Sequence, residues 1–336
     1  MDGVTNRYVI IGAGAIGGGI GGLLTRSGVP TVLVARGAHL DRMRADGLRI
    51  RTPDTDETTA VTVAGSPADV ELTDSDVLVF TTKTHQVEAA LAEWADAPVG
   101  DRTAGEALPA LIALNGVAAD RRALRWFSRV YGVCVWMPAV YLTPGEVIVR
   151  AAPVHGILHT SRVPAEATDD ADRALLARIA ADWAPAGLEV PLPDDVMPWK
   201  YRKLLSNLGN AVQALLGTMD REIAEAARSE AQRIYAAAAI TMNSEADEQR
   251  SRERLQVRPV PGASPDALGG STWQSMKRRA GSSEADFLNG EIASIAHGLG
   301  MRAPVNAGLA RLMRQASRAG TEPGASTADQ LRAALE

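Results

Sequence analysis

The chain has 336 residues, enough for one large domain or two ordinary ones, and its 46% of hydrophobic residues supports a sizeable core. A net charge of −5 without a local basic block argues against a nucleic-acid partner. The single cysteine, Cys134, excludes an internal disulfide framework. Because the sequence shows no signal peptide and no apolar run long enough to span a membrane, we expect a cytoplasmic protein with no membrane partner.

The first predicted strand, at 8–11, leads straight into a glycine-rich turn. The first glycine of such a turn permits the tight bend, the second lets a pyrophosphate approach the backbone, and the third allows the next helix to pack closely. Free N–H groups and the positive end of that helix then face the phosphates. Because the motif follows a strand and opens a helix of small residues, it predicts a dinucleotide site rather than a structural turn. The turn consists of Gly12, Ala13, Gly14, Ala15, Ile16 and Gly17.

The second predicted strand, at 31–35, ends at Arg36. Sites that prefer NAD usually place Asp or Glu here for the ribose hydroxyls, whereas a guanidinium can hold the 2′-phosphate of NADP. The sequence therefore favours NADPH over NADH. The alternative is that Arg36 is only a solvated loop residue.

Further strands and helices alternate up to about residue 194, which is typical of a doubly wound, mostly parallel α/β sheet, a Rossmann domain. We assign 53–59 to a loop. Helices are expected at 87–94 and 171–183. Strands are expected at 48–51, 61–63, 77–82, 109–115, 129–137, 146–150, 156–160 and 188–191.

Two polar residues follow strands on the side of the sheet where the glycine-rich turn lies. Lys83 comes after the strand at 77–82 and can hold a phosphate or a substrate carboxylate. Asn115 closes the strand at 109–115, and its amide can bridge nicotinamide and substrate. The alternatives are an ordinary loop lysine and a turn, because Asn-Gly is a strong turn former.

Strand signals vanish after about Asp195, so we predict a Rossmann domain at 1–194 and an all-helical domain at 195–336. A ligand should bind in the cleft between them, at the carboxyl ends of the strands. A long loop is expected at 256–270, and the tail after Gly320 is expected to be loose. The predicted helices are 198–216, 221–249, 283–299 and 303–314.

The helix at 199–216 carries an unusual polar face. Lys200, Lys203, Asn207 and Asn210 follow one another at i, i+3, i+7 and i+10, which places them on one side. Asparagine is unfavourable inside a helix because its amide competes for backbone partners. Two asparagines beside two lysines therefore indicate a functional face, although a solvated face is the alternative.

Glu284 opens a later predicted helix. Ser283 and Asp286 fit a capping pattern, and a helix start favours a carboxylate, so a structural role is an open alternative for Glu284. Ser275 lies on the Pro- and Gly-rich approach to it. The five histidines of the chain have no metal-binding spacing, and we predict no metal site.

Taken together, these segments resemble the ketopantoate reductase family, from Val9 to about Leu312. The resemblance implies a Rossmann domain, a helical domain, and NADPH-dependent reduction of a small 2-oxo acid to a 2-hydroxy acid. In pantothenate synthesis this step makes pantoate. The matching segments are 12–17, Arg36, 82–83, 114–116, 199–203 with Asn207, 275–276, 284–290 and 304–306.

The resemblance also implies roles for individual residues. Lys203 looks like the catalytic lysine, with Lys200 as a rival one turn away, and Glu284 resembles the active-site glutamate. Substrate binding is expected from Asn115, Asn207, Asn210 and Ser275. Cofactor binding is expected from Gly12, Ala13, Gly14, Ala15, Ile16, Gly17, Arg36, Lys83 and Asn115.

Two departures from the family pattern bear on substrate identity. The spacing from Ser275 to Glu284 is short, and the basic triplet 277–279 replaces an acidic residue. A paralogue acting on another 2-oxo acid or ketone therefore stays open, as does a non-catalytic NADP(H)-binding sensor. The sequence leaves the oligomeric state open, and a homodimer is one option.

Overall fold

The computed structural model describes residues 6–263, 270–278 and 283–335. Its strands are β1 Arg7–Ile11, β2 Thr31–Val34, β3 Leu48–Arg51, β4 Asp56–Thr59, β5 Thr62–Ala64, β6 Asp76–Phe80, β7 Pro98–Val99, β8 Arg102–Thr103, β9 Pro109–Ile112, β10 Arg129–Trp136, β11 Ala139–Val140, β12 Glu146–Val149, β13 Gly156–Val163 and β14 Leu188–Glu189. Its helices are α1 Ala15–Arg26, α2 Gly37–Asp46, α3 Val87–Ala95, α4 Ala104–Ala107, α5 Ala118–Ala123, α6 Asp170–Trp183, α7 Met197–Asn207, α8 Asn210–Leu216, α9 Arg221–Ala237, α10 Glu245–Arg252, α11 Ser271–Lys277, α12 Asn289–Gly298, α13 Pro304–Arg318 and α14 Ala328–Leu335.

The described residues form two compact units. The first comprises 6–114, 119–197 and 246–263. The second comprises 115–118, 198–245, 270–278 and 283–335, and it is helical wherever it has regular structure. No helix in the described part of the chain is long and apolar enough to cross a bilayer.

The first unit is built on an eight-stranded sheet with the order β14-β13-β10-β9-β6-β1-β2-β5. All neighbouring pairs are parallel except β10 and β13, which run antiparallel with Val130 opposite Val163. The central strand β1 is buried along nearly its whole length, as its unbroken apolar run predicts. The mostly parallel doubly wound sheet is therefore confirmed.

A second, four-stranded sheet of order β11-β12-β3-β4 was not predicted. The segments 48–51 and 146–150 are strands as expected, but they pair with each other, with Val147 opposite Ile50. The expected loop at 53–59 is wrong over Asp56–Thr59, which forms the antiparallel partner of β3. The exposed polar residues of β4 give little strand signal, because an edge strand buries little of its surface.

Helix α1 lies between these two sheets, and its glycines make this close packing possible. A Cβ added to Gly21 would lie 2.2 Å from a methyl carbon of Leu33 in the large sheet. A Cβ on Gly22 would lie 2.5 Å from Ile50 in the small sheet. The small residues after the turn therefore let one helix contact a sheet on each of two sides.

The polar segment after Arg36 forms helix α2, which the sequence analysis did not predict. Two long predicted helices are shorter than expected. The helix at 198–216 breaks at Leu208 and Gly209, which separate α7 from α8. The helix at 221–249 ends at Ala237, and Ala239 follows with a positive φ of 52°.

Residues 246–263 belong to the first unit and pack along its sheets. The hydroxyl of Ser251 lies 2.8 Å from Nε2 of His159, and the guanidinium of Arg252 lies 4.5 Å from the centre of the Trp136 ring. Ala151 forms an antiparallel bridge with Val257. Residues 264–269 of the expected loop at 256–270, and Arg279 of the basic triplet, lie outside the described residues.

The expectation of a loose tail after Gly320 is wrong. The backbone N–H of Gly324 donates to Ala214 at 3.0 Å, and that of Ser326 donates to Leu215 at 3.1 Å. These bonds satisfy carbonyls at the end of α8, which have no partner within their own helix. Helix α14 then packs on α13, where a Cβ on Gly308 would lie 2.5 Å from Leu335.

Candidate active site

The glycine-rich turn is held tightly against the ends of two strands. Gly12 has a φ of +102°, a conformation that favours glycine, and a Cβ there would lie 2.9 Å from the backbone nitrogen of Thr82. The N–H groups of Gly12 and Ala13 both donate to the carbonyl of Val34, at 3.1 and 2.8 Å. A Cβ on Gly17 would lie 2.4 Å from the carbonyl oxygen of Gly12, so the third glycine lets α1 approach the turn.

The surroundings of this turn fit a dinucleotide. A Cβ on Gly14 would meet no atom within 4 Å, so this glycine presents open backbone where a pyrophosphate can approach. The N–H groups of the first turn of α1 have no partners within the helix, and they favour an anion. The buried hydroxyl of Thr82 has no hydrogen-bond partner among the described residues, so it can bind a ligand.

Arg36 lies at the amino end of α2, directly after β2. Its side chain is 77% exposed, and its Nη2 lies 2.9 Å from Oε2 of Glu93 on α3. A solvent-exposed ion pair of this kind contributes little free energy, so a phosphate can compete for the guanidinium. The position suits a 2′-phosphate, and Glu93 is a competing acceptor that the sequence did not reveal.

Lys83 and Asn115 both follow strands of the large sheet, as predicted. Lys83 is half-buried and precedes a short 3₁₀ turn at Thr84–Gln86. Asn115 is half-buried, and Gly116 follows it with a φ of +83°. A Cβ on Gly116 would lie 2.8 Å from the carbonyl oxygen of Phe287, so the turn that carries Asn115 packs against the segment that carries Glu284.

Helix α7 carries three of the four predicted polar residues of the helical unit. Lys203 and Asn207 are half-buried, whereas Lys200 is only 3% exposed. The amide nitrogen of Asn207 is buried and has no hydrogen-bond partner among the described residues. Such a donor normally binds something, and a ligand oxygen would satisfy it. Asn210 lies beyond the break, at the first residue of α8.

Ser275 lies in α11 rather than on an irregular approach. It is 5% exposed, and its hydroxyl donates to the carbonyl of Ser271 at 3.0 Å, which leaves its oxygen able to accept. Glu284 is 8% exposed and begins a 3₁₀ turn, not the expected α-helix. Ser283 caps this turn by accepting from the N–H of Ala285 at 3.3 Å.

A buried polar network holds the break between α7 and α8 in place. Asn289 donates to the carbonyl of Leu208 at 3.1 Å and to Oδ1 of Asn306 at 3.0 Å. Asn306 in turn donates to Oε1 of Glu230 at 2.9 Å. None of these three side chains was assigned a role from the sequence, although Asn289 and Asn306 lie in the family-like segments 284–290 and 304–306. They are supports that fix the backbone next to Asn207, and a local sequence pattern does not reveal which of them pair with one another.

The chain is similar to known proteins over most of its length. A family model described as ketopantoate reductase PanE/ApbA matches residues 8–159, and one described as ketopantoate reductase PanE/ApbA C terminal matches residues 195–317. A 2-dehydropantoate 2-reductase of Mesorhizobium japonicum is 30% identical over 225 residues, which cover 63% of this chain and 68% of that protein.

Solved structures share the fold over nearly the whole chain. The PanE/ApbA family ketopantoate reductase from Ralstonia eutropha JMP134 superposes with a TM-score of 0.74 at 24% identity, covering 94% of this chain and 99% of that one. The ternary structure of D-mandelate dehydrogenase with NADH and anilino(oxo)acetate gives a TM-score of 0.76 at 18% identity with the same coverage. At these identities the two structures establish the fold alone.

Proposed function

This chain belongs to the ketopantoate reductase family, and we propose that it reduces a 2-oxo acid to the corresponding 2-hydroxy acid with NADPH. Ketopantoate is the substrate that we propose first, since the similar protein from Mesorhizobium japonicum is a 2-dehydropantoate 2-reductase. We propose that residues 1–194 bind the dinucleotide and that residues 195–336 supply the catalytic lysine.

The observation that carries the proposal is the polar face of α7. Lys203 is half-buried and lies one helical turn before Asn207, whose amide nitrogen is buried without a partner among the described residues. A cationic proton donor and an unsatisfied hydrogen-bond donor on one face suit an anionic oxo acid. Polar groups arranged in advance can stabilise charge that develops in a transition state.

When bound, the nicotinamide supplies a hydride to the C2 carbonyl carbon of the substrate. We propose that Lys203, as an ammonium, stabilises the growing negative charge on the carbonyl oxygen and gives it a proton. Asn207 donates its amide hydrogen to a substrate oxygen, with Asn115, Asn210 and Ser275 as further substrate contacts. We also propose that Glu284, which is 8% exposed, helps to keep Lys203 charged in the active site.

NADPH is proposed over NADH on the chemistry of Arg36, which stands where NAD sites usually have a carboxylate. Thr82 and the turn from Gly12 to Gly17 would hold the pyrophosphate, a part that both cofactors share. Lys83 is a further proposed cofactor contact. D-mandelate dehydrogenase, which shares this fold, has NADH bound, so both cofactors belong in the first assay.

The test measures oxidation of NADPH and of NADH by absorbance, with ketopantoate and a panel of other 2-oxo acids and simple ketones. The panel includes an aromatic 2-oxo acid, because D-mandelate dehydrogenase is a fold neighbour. Selective turnover of ketopantoate with NADPH is the expected result. Turnover of another panel member instead would indicate a paralogous reductase with the same lysine chemistry. Binding of NADPH without any turnover would favour a non-catalytic sensor.

A further inference from the structure

His39, on α2, bridges the glycine-rich turn and the loop between β11 and β12. It is 6% exposed, and its Nε2 lies 2.7 Å from the carbonyl oxygen of Ala13. Its Nδ1 lies 2.9 Å from the backbone nitrogen of Gly145. The ring also packs against Tyr141, with 4.5 Å between the ring centres. One side chain therefore joins three segments of the first unit.

These contacts define the tautomer of the ring. The backbone nitrogen of Gly145 can only donate, so Nδ1 must accept and cannot carry a proton. The carbonyl of Ala13 can only accept, so Nε2 carries the hydrogen and donates it. Burial lowers the pKa of His39, opposed by its hydrogen bond to Ala13, and this agrees with a neutral ring.

The bond to Ala13 completes a pattern around the turn. The hydroxyl of Thr81 donates to the carbonyl of Gly12 at 2.9 Å, so the first two carbonyls of the turn are each held by a side chain. Holding the carbonyl of Ala13 also fixes the peptide plane that it shares with Gly14. The N–H of Gly14 donates to the carbonyl of Gly12 at 2.7 Å, so this peptide plane is held from both of its polar groups, and His39 supplies the contact on the Ala13 carbonyl.

We propose that His39 is a positioning residue for the bound dinucleotide, acting through the Ala13 carbonyl on the pyrophosphate-binding turn. The inference rests on the proposed dinucleotide site. Because NADPH and NADH have the same pyrophosphate, His39 supports both cofactors equally. This separates its role from that of Arg36, which lies three residues earlier on the chain and would act on the 2′-phosphate alone.

Two conservative variants separate the two hydrogen bonds. In His39→Gln the amide nitrogen is far enough along the side chain to replace Nε2 as the donor to Ala13. In His39→Asn the amide oxygen replaces Nδ1 as the acceptor for Gly145, but nothing reaches Ala13. We expect His39→Asn to raise the Kd of both NADPH and NADH about tenfold, the equivalent of one lost hydrogen bond. His39→Gln should restore most of this affinity.

The matched control is His155→Asn. His155 is a second buried histidine of the first unit, and its Nδ1 lies 2.7 Å from the carbonyl of Ala151, away from the turn. The amide nitrogen of this variant can replace Nδ1 as the donor to Ala151, so we expect thermal stability to fall through the lost packing of the ring, without a change in either Kd. Kd values are measured on the full chain by titrating the fluorescence of each cofactor, and thermal unfolding is followed on the same samples.

Three outcomes would overturn the inference while leaving the proposed function standing. An unchanged Kd in His39→Asn would remove the role of the Ala13 bond, and equal losses in His39→Asn and His39→Gln would reduce it to general packing. A loss confined to NADPH would transfer the effect to Arg36. Failure of the wild-type chain to bind either cofactor would overturn the proposed function and, with it, this inference. If the inference alone fails, the wild-type chain still binds both cofactors, so the two failures are distinguishable.

Discussion

At the scale of single residues, Lys203 and Lys200 occupy very different environments on the same helix. Lys203 is half-buried and can reach a ligand while keeping contact with water, whereas Lys200 is 3% exposed. A proton donor must meet its substrate, so partial exposure favours Lys203. Complete burial makes Lys200 the better candidate for a structural role.

We expect Lys203→Ala to lower kcat roughly 100- to 10,000-fold, the usual contribution of a positioned proton donor. The Kd of NADPH and the melting temperature should change little, because the side chain is not part of the core. Lys200→Ala is the matched control. It should lower the melting temperature more than Lys203→Ala does, and it should lower kcat less. Near-normal turnover of Lys203→Ala would contradict its role, and loss of turnover only in Lys200→Ala would move the proton donor to Lys200.

Arg36 and Glu93 form a second informative pair. Arg36→Ala should raise the Kd of NADPH about tenfold and leave that of NADH unchanged, because only NADPH carries the 2′-phosphate. Glu93→Gln should lower the Kd of NADPH by about threefold, since it frees the guanidinium from a weak exposed pair. Fluorescence titrations at low and high salt check both effects. If NADH weakened as much as NADPH in Arg36→Ala, Arg36 would not be a 2′-phosphate residue.

At the scale of elements, α1 shows how closely a glycine face is fitted between two sheets. Gly21→Ala places a methyl group within 2.2 Å of Leu33 and should lower the free energy of unfolding by about 1–3 kcal/mol through overpacking. Gly298, in the last turn of α12, has no atom within 4 Å of an added Cβ. Gly298→Ala should therefore raise the free energy of unfolding by about 0.5–1 kcal/mol, because alanine loses less backbone entropy than glycine on folding.

Urea unfolding of the two glycine variants and the wild type gives both values. Equal effects of the two substitutions would mean that glycine's flexibility, and not the available space, governs stability in α1. Activity need not be measured for this comparison, since both positions lie outside the residues proposed to bind ligands. The result would show whether the large sheet, through Leu33, packs tightly on α1 in solution.

At the scale of the whole molecule, two of the three buried histidines in the described residues, His39 and His155, make stability depend on pH. Burial lowers the pKa of His39 and of His155 from the usual 6.5, with backbone hydrogen bonds opposing in each case. Below pH 6.5 the unfolded chain binds protons that the folded chain does not. We therefore expect these two histidines to lower the free energy of unfolding as the pH falls through 6.5, by at most about 1.4 kcal/mol per pH unit for each histidine.

Urea titrations at a series of pH values on either side of 6.5 measure this slope. The double variant His39→Asn with His155→Asn removes both titrating groups, and we expect its slope to be smaller whatever its absolute stability. A slope unchanged in the double variant would assign the pH dependence to other groups. A wild-type stability that rose on acidification would contradict the assignment of buried neutral rings.

Much of the first unit follows from the sequence because its signals are local. The apolar run of β1, the glycine-rich turn and the alternation of strands and helices each occupy a few consecutive residues. The sequence also indicated which residue follows each strand, so it could propose Arg36, Lys83 and Asn115 as ligand contacts. Parallel strands present their carboxyl ends at one edge of a sheet, so these predictions needed no knowledge of distant contacts.

What the sequence by itself determined, then, is the class of fold, the glycine-rich turn after the first strand and the family to which the chain belongs. Only the tertiary structure decided that β3 and β12 pair in a separate sheet, that α7 ends at Asn207, and that 246–263 pack on the first unit. It also decided that His39 holds the glycine-rich turn. The physical reason is that these features depend on partners far apart in the chain, and local propensity carries no information about which distant group will satisfy a hydrogen bond or fill a space.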